Sequence, residues 1–244
     1  MKVTVLGSGS IISSAERGTA GFLVEAGEQK IALDFGFGCF KSLKSVCNPS
    51  EVSAFLFSHF DHADHSGELP SIVLFKHVAK DNSQLNLFGP KGIQAFQEKL
   101  FGSFSTFGDL AFKIKATELE YSSVKEFGFL VKTKPMKHNV SSIGFRIEHG
   151  GKILAYSGDT GYCDEIIDLG KNADLLILEC TYEKKGSNHL TPEECAQIAG
   201  KAKAKTLLLC HISEQTEKLP LARLVKPLFS GKVLIAKDLM ELKL

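Results

Sequence analysis

The segment Ser58–Gly67, which reads SHFDHADHSG, has a density of metal-binding side chains that packing alone does not explain. It directly follows the apolar run Ala54–Phe57, which predicts a buried strand. Imidazole and carboxylate side chains occupy five of its positions, namely His59, Asp61, His62, Asp64 and His65. Such ligands suit zinc, manganese or iron(II), and the lack of cysteine in the segment argues against a closed structural zinc site. The sequence therefore predicts a metal site where this strand ends.

Three further polar residues follow predicted strands in the same manner. His138 comes after the strand at 127–133, Asp159 after 152–156, and His211 directly after 206–210. Each alone is readily explained as a loop, turn or capping residue. Because loops at one edge of a sheet converge, these residues and the cluster together predict a shared site. Its ligands suffice for two metal ions about 3.5–4 Å apart, with Asp159 as the natural bridge.

The remaining pattern predicts a β-rich first half and an alternating second half. Predicted strands span 2–6, 20–26, 29–34, 54–57, 85–88, 110–116, 127–133, 143–148, 152–156, 174–179, 206–210 and 232–236. Predicted helices span 68–79, 91–101, 162–170, 191–203 and 220–228. A capping box in Thr191–Glu194 marks one helix start. No linker or repeat divides the chain, so we predict one domain over residues 1–244, with two sheets and outer helices.

The composition is that of an ordinary soluble globular protein. The chain has 244 residues, 43% apolar and 23% charged, and its 29 basic and 28 acidic residues give a formal charge of +1. This charge gives no global electrostatic signature of nucleic acid or anionic membrane binding, so any such partner must be held locally. Neither a signal-peptide core nor an apolar stretch of the roughly 20 residues that span a bilayer is present. We expect a cytoplasmic protein without a membrane partner, and its six scattered cysteines suit reduced thiols.

The ordered motifs resemble those of a known family. The order His-x-x-His-x-Asp-His, a lone histidine, Gly-Asp-Thr and a final histidine after an apolar strand is similar to the metallo-β-lactamase superfamily, and most similar to its ribonuclease Z-like branch. Further matching segments are 6–10, Arg17, 34–36, 89–92, 157–161 and 189–194. The resemblance covers nearly the whole chain. It implies an α/β fold, a four-layer αββα sandwich with the metal site at one edge of the two sheets.

The resemblance also implies the roles of the site residues. The expected cofactors are two divalent metal ions, Zn²⁺ in the first place, with Mn²⁺ or Fe²⁺ as alternatives. The expected metal ligands are His59, His62, Asp64, His65, His138, Asp159 and His211. The expected catalytic residues are Asp64, which would orient or deprotonate the attacking water, and His189, which would donate a proton to the phosphate or leaving group.

The spacing of the first histidine departs from the family motif, which is His-x-His-x-Asp-His. Here two residues, Phe60 and Asp61, separate His59 from His62. Along an extended chain, side chains at i and i+2 point the same way and those at i and i+3 do not, so His59 needs a bulge or turn to reach the metal. His59 is the preferred ligand, and Asp61 is the alternative.

A second departure concerns the substrate. In ribonuclease Z, a long arm that grips transfer RNA is inserted between the lone histidine and the bridging aspartate. Only residues 139–158 separate His138 from Asp159 here, and two predicted strands use them up. Precursor tRNA is therefore not implied, and a small phosphodiester, such as a cyclic nucleotide or a short nucleic acid, is the better expectation.

The function expected is that of a dinuclear metal-dependent hydrolase, in which hydroxide generated between the cations attacks a phosphodiester. One alternative keeps the metals but cleaves a carboxylic ester, lactone or thioester. Another is a metal-stabilised binding protein whose first site is incomplete, which the irregular spacing of His59 motivates. A homodimer is also left open.

Overall fold

The computed structural model describes residues 1–104 and 110–244, which form two mixed seven-stranded sheets. In spatial order, the first sheet consists of β14 (Glu241–Lys243), β1 (Lys2–Gly7), β2 (Gly21–Ala26), β3 (Gln29–Phe35), β4 (Ala54–Leu56), β5 (Leu85–Gly89) and β6 (Ile114–Glu118). The second consists of β13 (Lys232–Ile235), β12 (Thr206–Cys210), β11 (Leu175–Glu179), β10 (Lys152–Tyr156), β9 (Ile143–His149), β8 (Phe129–Pro135) and β7 (Ser123–Glu126).

Both sheets follow one plan, in which antiparallel strands lead into parallel ones. Strands β14, β1, β2 and β3 are antiparallel, and β3 to β6 are parallel. In the second sheet β7 to β10 are antiparallel, and β10 to β13 are parallel. The β9–β10 turn is made by Gly150 and Gly151, whose φ angles of 56° and 74° favour glycine. This hairpin occupies most of the residues between His138 and Asp159.

Three apolar layers separate the sheets and helices. In β11, Leu175 and Ile177 lie in the core between the two sheets, whereas Leu176 and Leu178 pack in the core outside the second sheet. Strands buried on both faces need continuous apolar runs, which is why this segment shows no alternation. A third core lies outside the first sheet and includes Leu23. The order helices, sheet, sheet, helices confirms the predicted αββα sandwich.

The outer layers consist of short helices. The first sheet is covered by α1 (Cys39–Val46), α3 (Leu69–Val78) and α4 (Ile93–Gly102), and the second by α5 (Asp164–Leu169), α6 (Pro192–Ala202) and α8 (Leu221–Val225). Two single-turn helices, α2 (Ala63–Ser66) and α7 (Glu214–Glu217), and a 3-10 turn at Pro49–Glu51 complete the described elements. Within residues 1–104 and 110–244, no helix has the length and apolar character needed to cross a membrane.

The start of α6 is formed by the predicted capping box. The Thr191 hydroxyl accepts a hydrogen bond from the Glu194 amide at 3.3 Å, and the Glu194 carboxylate accepts one from the Thr191 amide at 3.2 Å. Two amides that the helix itself leaves without partners are thus satisfied.

Several elements differ from the sequence prediction. The strand expected at 110–116 begins only at Ile114. Phe112, whose apolar character suggested an earlier start, lies in the loop before the strand and is buried there. Strand β7 was not expected, because this edge strand reads SVKE and has little apolar character. Helices α1 and α7 and strand β14 were also not expected. Helix α1 begins after Gly38 in the left-handed region without a side-chain cap, so the usual start signal is absent.

The loop after β3 packs closely against α2. A Cβ atom on Gly36 would lie 1.8 Å from the Asp64 carbonyl oxygen and 2.0 Å from the Thr19 hydroxyl oxygen. Only glycine allows this approach. The Thr19 hydroxyl also donates to the Asp64 carbonyl at 2.7 Å, so two loops fix the backbone of α2.

Candidate metal centre

All seven residues predicted to bind metal lie at strand ends along one edge of the two sheets. His59, His62, Asp64 and His65 follow β4, whereas His138 follows β8, Asp159 follows β10 and His211 follows β12. Two of them, Asp64 and His65, are in the single turn α2. Both sheets thus contribute to a single edge, as the convergence of loops predicts.

The seven side chains form two adjoining groups. Site 1 consists of His59, His62 and His138, and site 2 consists of Asp64, His65, Asp159 and His211. Within each group, the potential ligand atoms lie within 4.8 Å of one another. Asp159 also meets this limit with His138 and His189, so it is within reach of both sites. The His59 and His65 ring centroids are 4.1 Å apart, which places the sites side by side.

Buried polar atoms without hydrogen-bond partners concentrate at these sites. Of the eight buried side-chain atoms without a hydrogen bond in the described part of the chain, five belong to the two groups: His59 Nε2, His65 Nε2, His138 Nε2, Asp64 Oδ1 and Asp159 Oδ1. Two of them, His65 Nε2 and Asp159 Oδ1, face each other at 3.2 Å. Leaving a buried polar atom unpaired is costly, and metal coordination removes that cost. The donors are imidazole nitrogens and carboxylate oxygens without thiolates, a set that fits zinc, manganese or iron(II). The residues therefore fit the expected divalent cations.

The histidine rings are oriented by partners on their other nitrogen. The Nδ1 atom is 3.1 Å from Ser58 Oγ in His59, 2.7 Å from Asp34 Oδ2 in His65, 3.2 Å from the Asn188 carbonyl oxygen in His138, and 2.7 Å from Thr181 Oγ1 in His211. A hydrogen bond at Nδ1 fixes the ring and leaves Nε2 to bind a metal. Burial also lowers the pKa of His59 and of His138, which favours the neutral imidazole that metals bind.

The chain changes direction around the first histidine of the cluster. The backbone bends at Ser58, Asp61 and His62, and this brings the fully buried His59 into site 1. Asp61 is exposed and belongs to neither group. A bend of the kind predicted to be necessary is present, and it groups His59 rather than Asp61 with His62 and His138; that His59 binds a metal stays a prediction.

Asp34 is a buried carboxylate that the sequence reasoning did not assign to the site. It accepts hydrogen bonds from the Ser58 amide and hydroxyl, both at 2.7 Å, from Tyr156 at 2.6 Å and from His65 at 2.7 Å. Asp34 ends the apolar run of β3, as Asp159 and His211 end theirs. That strand-end signal was available in the sequence.

Glu179 has a comparable place at the end of β11 and was also missed. Its carboxylate accepts hydrogen bonds from His189 Nδ1 at 2.8 Å, from the Thr160 amide at 3.1 Å and from the Thr181 hydroxyl at 2.9 Å. Burial lowers the pKa of His189, but the hydrogen bond and charge of Glu179 outweigh this effect and raise it.

His189 lies beside the metal-binding groups. Its ring is parallel to that of His211, with an interplanar angle of 11° and centroids 5.9 Å apart. Its side chain retains 18% exposure, so it is accessible from solvent while Glu179 holds its other side. It can also be grouped with Glu179 and His211 as ligands, so its role as an acid rather than a ligand stays a prediction.

Comparisons with known proteins agree with this geometry. A family model described as the β-lactamase superfamily domain matches residues 29–212. The chain is 27% identical over 250 residues to the probable metallo-hydrolase YhfI of Bacillus subtilis, with 98% of each chain covered. It is 27% identical over 267 residues to ribonuclease Z of Pyrococcus horikoshii, with 87% of this chain and 86% of that protein covered.

Solved structures show the same fold. The crystal structure of the metallo-β-lactamase fold protein YhfI from Bacillus subtilis has a TM-score of 0.85 at 26% identity and covers 99% of this chain and 98% of that one. The short form of human tRNase Z has a TM-score of 0.82 and covers 100% and 99%. At 23% identity, the human likeness concerns the fold alone.

The contacts of Asp34 predict that its charge supports metal binding. Asp34→Asn keeps the size of the side chain but weakens the acceptor that fixes His65 Nδ1. We expect about a 10- to 100-fold loss of metal affinity, the usual effect of removing such an outer partner. Calorimetric zinc titration of the metal-depleted protein measures it.

The matched control is Asp174→Asn. Asp174 precedes β11, at the opposite end of that strand from Glu179, and pairs with Lys205 at 2.7 Å. Equal metal affinity in Asp34→Asn and the control would contradict the positioning role of Asp34.

Proposed function

The chain belongs to the metallo-β-lactamase superfamily, and on that premise we propose that it is a dinuclear metal-dependent hydrolase that cleaves a phosphodiester. The observation that supports this most is the convergence of buried imidazole and carboxylate side chains from both sheets on two adjoining sites, with five of their ligand atoms making no hydrogen bond. In this proposal, residues 1–244 act as one hydrolase domain, and the seven side chains of sites 1 and 2 hold two divalent ions, zinc first.

The substrate class is proposed from the relatives and from the size of one connection. Ribonuclease Z cleaves a phosphodiester, and the alignment with the Pyrococcus protein of that name covers 87% of this chain at 27% identity. The segment between His138 and Asp159 is occupied by the β9–β10 hairpin, which pairs within the second sheet. This leaves no long insertion there for gripping tRNA, so a small phosphodiester or a short nucleic acid is the proposed substrate.

The division of labour among the residues follows from their positions. When bound, two divalent cations would neutralise the phosphodiester and lower the pKa of a water between them. Asp159 would bridge the sites, because it groups with residues of both. Asp64, whose Oδ2 lies 3.2 Å from His211 Nε2, would hold site 2 and orient the attacking water. His189, held by Glu179, would donate a proton to the leaving oxygen.

Carboxylic ester, lactone or thioester hydrolysis is the competing reaction, because an activated water attacks carbonyl carbon as well. The similarity to ribonuclease Z supports attack on a phosphodiester rather than on a carbonyl carbon. A binding protein with an incomplete first site is less well supported, because His59 lies with His62 and His138 in site 1.

The direct test of the proposed function compares phosphorus and carbon chemistry. Zinc- or manganese-loaded protein should hydrolyse bis-p-nitrophenyl phosphate or a 2′,3′-cyclic nucleotide faster than p-nitrophenyl acetate or a homoserine lactone, relative to the uncatalysed rates. Initial rates and the metal content per chain are measured together. Turnover of the carboxylic substrates alone would favour the competing reaction. A content of one metal ion or none per chain would support the hypothesis of a metal-stabilised binding protein.

Asp159→Ala tests the bridge between the sites. Because both groups lose a shared ligand, we expect lower metal content and lower turnover in a chain that still folds, as judged by circular dichroism. Asp168→Ala is the control, since Asp168 is 57% exposed and pairs with Lys134 on the surface. Retention of both ions with full activity would refute the bridging role.

His189→Ala tests the proton donor. An acid acts in the transition state, so kcat and kcat/KM should fall together by about 10²–10⁴-fold while the metals stay bound. The loss should be much larger for a ribose leaving group than for p-nitrophenolate, which leaves without a proton. His149→Ala is the control, because His149 contacts the Gly128 carbonyl away from the site. Equal losses would indicate phosphate binding, and loss of an ion would indicate a ligand.

A further inference from the structure

A groove that the proposed mechanism does not use opens beside site 1. It has a volume of about 490 Å³ and is lined by the loop between two site-1 histidines and by α4, with Phe60, Asp61, Gly92, Phe96, Lys99 and Leu100 among its residues. Small-molecule sites commonly measure about 300–1,000 Å³, so the groove is large enough for a substrate group.

The position of the groove is fixed by the metal loop itself. Phe60 and Asp61 are the residues between His59 and His62, so their Cα atoms are about 3.8 Å from those of the neighbouring ligands. The groove therefore borders the loop that carries His59 and His62, on the side of that loop where Phe60 and Phe96 pack against the outer core of the first sheet. Two residues, Phe60 and Asp61, separate His59 from His62, whereas the family motif has one residue at this place.

The floor of the groove is aromatic. The Phe60 and Phe96 rings are stacked, with centroids 4.8 Å apart and an interplanar angle of 26°. Both rings are half-buried, and both line the groove. The Phe60 ring lies over the start of α4, where Gly92 has a φ of 96° that favours glycine. Phenylalanine faces of this kind bind nucleobases by stacking.

The polar residues of the groove complement a base with an amino group. Asp61 is exposed, and its carboxylate accepts hydrogen bonds without donating any when ionised. Exocyclic amino groups of cytosine, adenine or guanine supply such donors, whereas uracil presents a carbonyl oxygen at the corresponding position. Lys99, one helical turn after Phe96, adds a cation that suits sugar or base oxygens.

On the basis of the proposed function, we propose that this groove holds the nucleobase next to the scissile phosphate. The substrate is then a nucleotide, with its base on Phe60 and Phe96 and its amino group at Asp61. Phosphodiesters without a base lack these contacts and are poorer substrates.

The kinetic test uses two substrates with the same reacting group, cytidine 2′,3′-cyclic phosphate and the 2,3-cyclic phosphate of methyl ribofuranoside, which has no base. For the zinc-loaded protein, we expect kcat/KM to favour the cytidine substrate on the order of tenfold or more. Phe96→Leu should remove most of this preference and leave the base-free rate unchanged. Equal efficiencies on both substrates, or equal losses in the variant, would overturn the proposal.

Phe40→Leu is the matched control for lost packing. Phe40 is half-buried on α1, packs against the same outer core as Phe96 and does not line the groove. It should leave the substrate preference intact. Asp61→Asn tests the polar contact, because it should lower the preference for cytidine over uridine 2′,3′-cyclic phosphate by roughly tenfold. An unchanged ratio would refute the role of Asp61.

Binding of a nucleotide probe separates this proposal from the proposed function. The chain has no tryptophan, so fluorescence anisotropy of 2-aminopurine riboside 3′-monophosphate reports binding without an indole background. Phe96→Leu should weaken binding about tenfold and Phe40→Leu should not. Weakened binding in a protein without phosphodiesterase activity keeps the groove assignment and refutes the hydrolase. Phosphodiesterase activity with binding unaffected by Phe96→Leu keeps the hydrolase and refutes the groove assignment.

Discussion

The hydrogen bonds to the Asp34 carboxylate connect the parts of the molecule on which the metal centre depends. They join the end of β3 to the loop after β4, to His65 and, across the sandwich, to Tyr156 at the end of β10. A buried carboxylate is tolerated only when its donors are in place, so these segments are fixed relative to one another. Burial and the Asp34 charge raise the pKa of Tyr156, which therefore remains a donor.

The second sheet repeats this construction with Glu179. Asp34 is the penultimate residue of β3 in one sheet, and Glu179 is the last residue of β11 in the other. Each accepts a hydrogen bond from the Nδ1 atom of a histidine, His65 and His189 respectively. Each carboxylate also binds a neighbouring loop through backbone amides and hydroxyl groups. The candidate ligands are thus held between two strand ends, and this favours a fixed geometry for any metal that they bind.

The sequence predicted which side chains gather at the candidate metal centre better than it predicted the residues that orient them. His62, Asp64 and His65 occur close together, and their density alone indicates a metal site. Asp34 and Glu179 are single acidic residues after apolar runs, and such residues are common at strand ends whether or not they have a role. Their partners are 31 and 10 residues away along the chain, so only the packing of the two sheets reveals these contacts. The short edge strands β7 and β14 were missed for a local reason, because their polar sequences lack a strand pattern.

The extra residue in the metal motif shows how one loop serves two purposes. A one-residue spacer between the two histidines supplies one side chain, whereas this loop supplies two. With Phe60 and Asp61 between the ligands, the bends in the loop bury His59 completely while Asp61 remains exposed and both spacer residues line the groove. In the proposed function, a metal-activated water could attack a phosphorus or a carbon centre, so the candidate ligands alone do not select the substrate. If the proposed function holds, selection among substrates comes from groups beside the metal site, and the proposed role of the groove would tie that selection to the loop that carries His59 and His62.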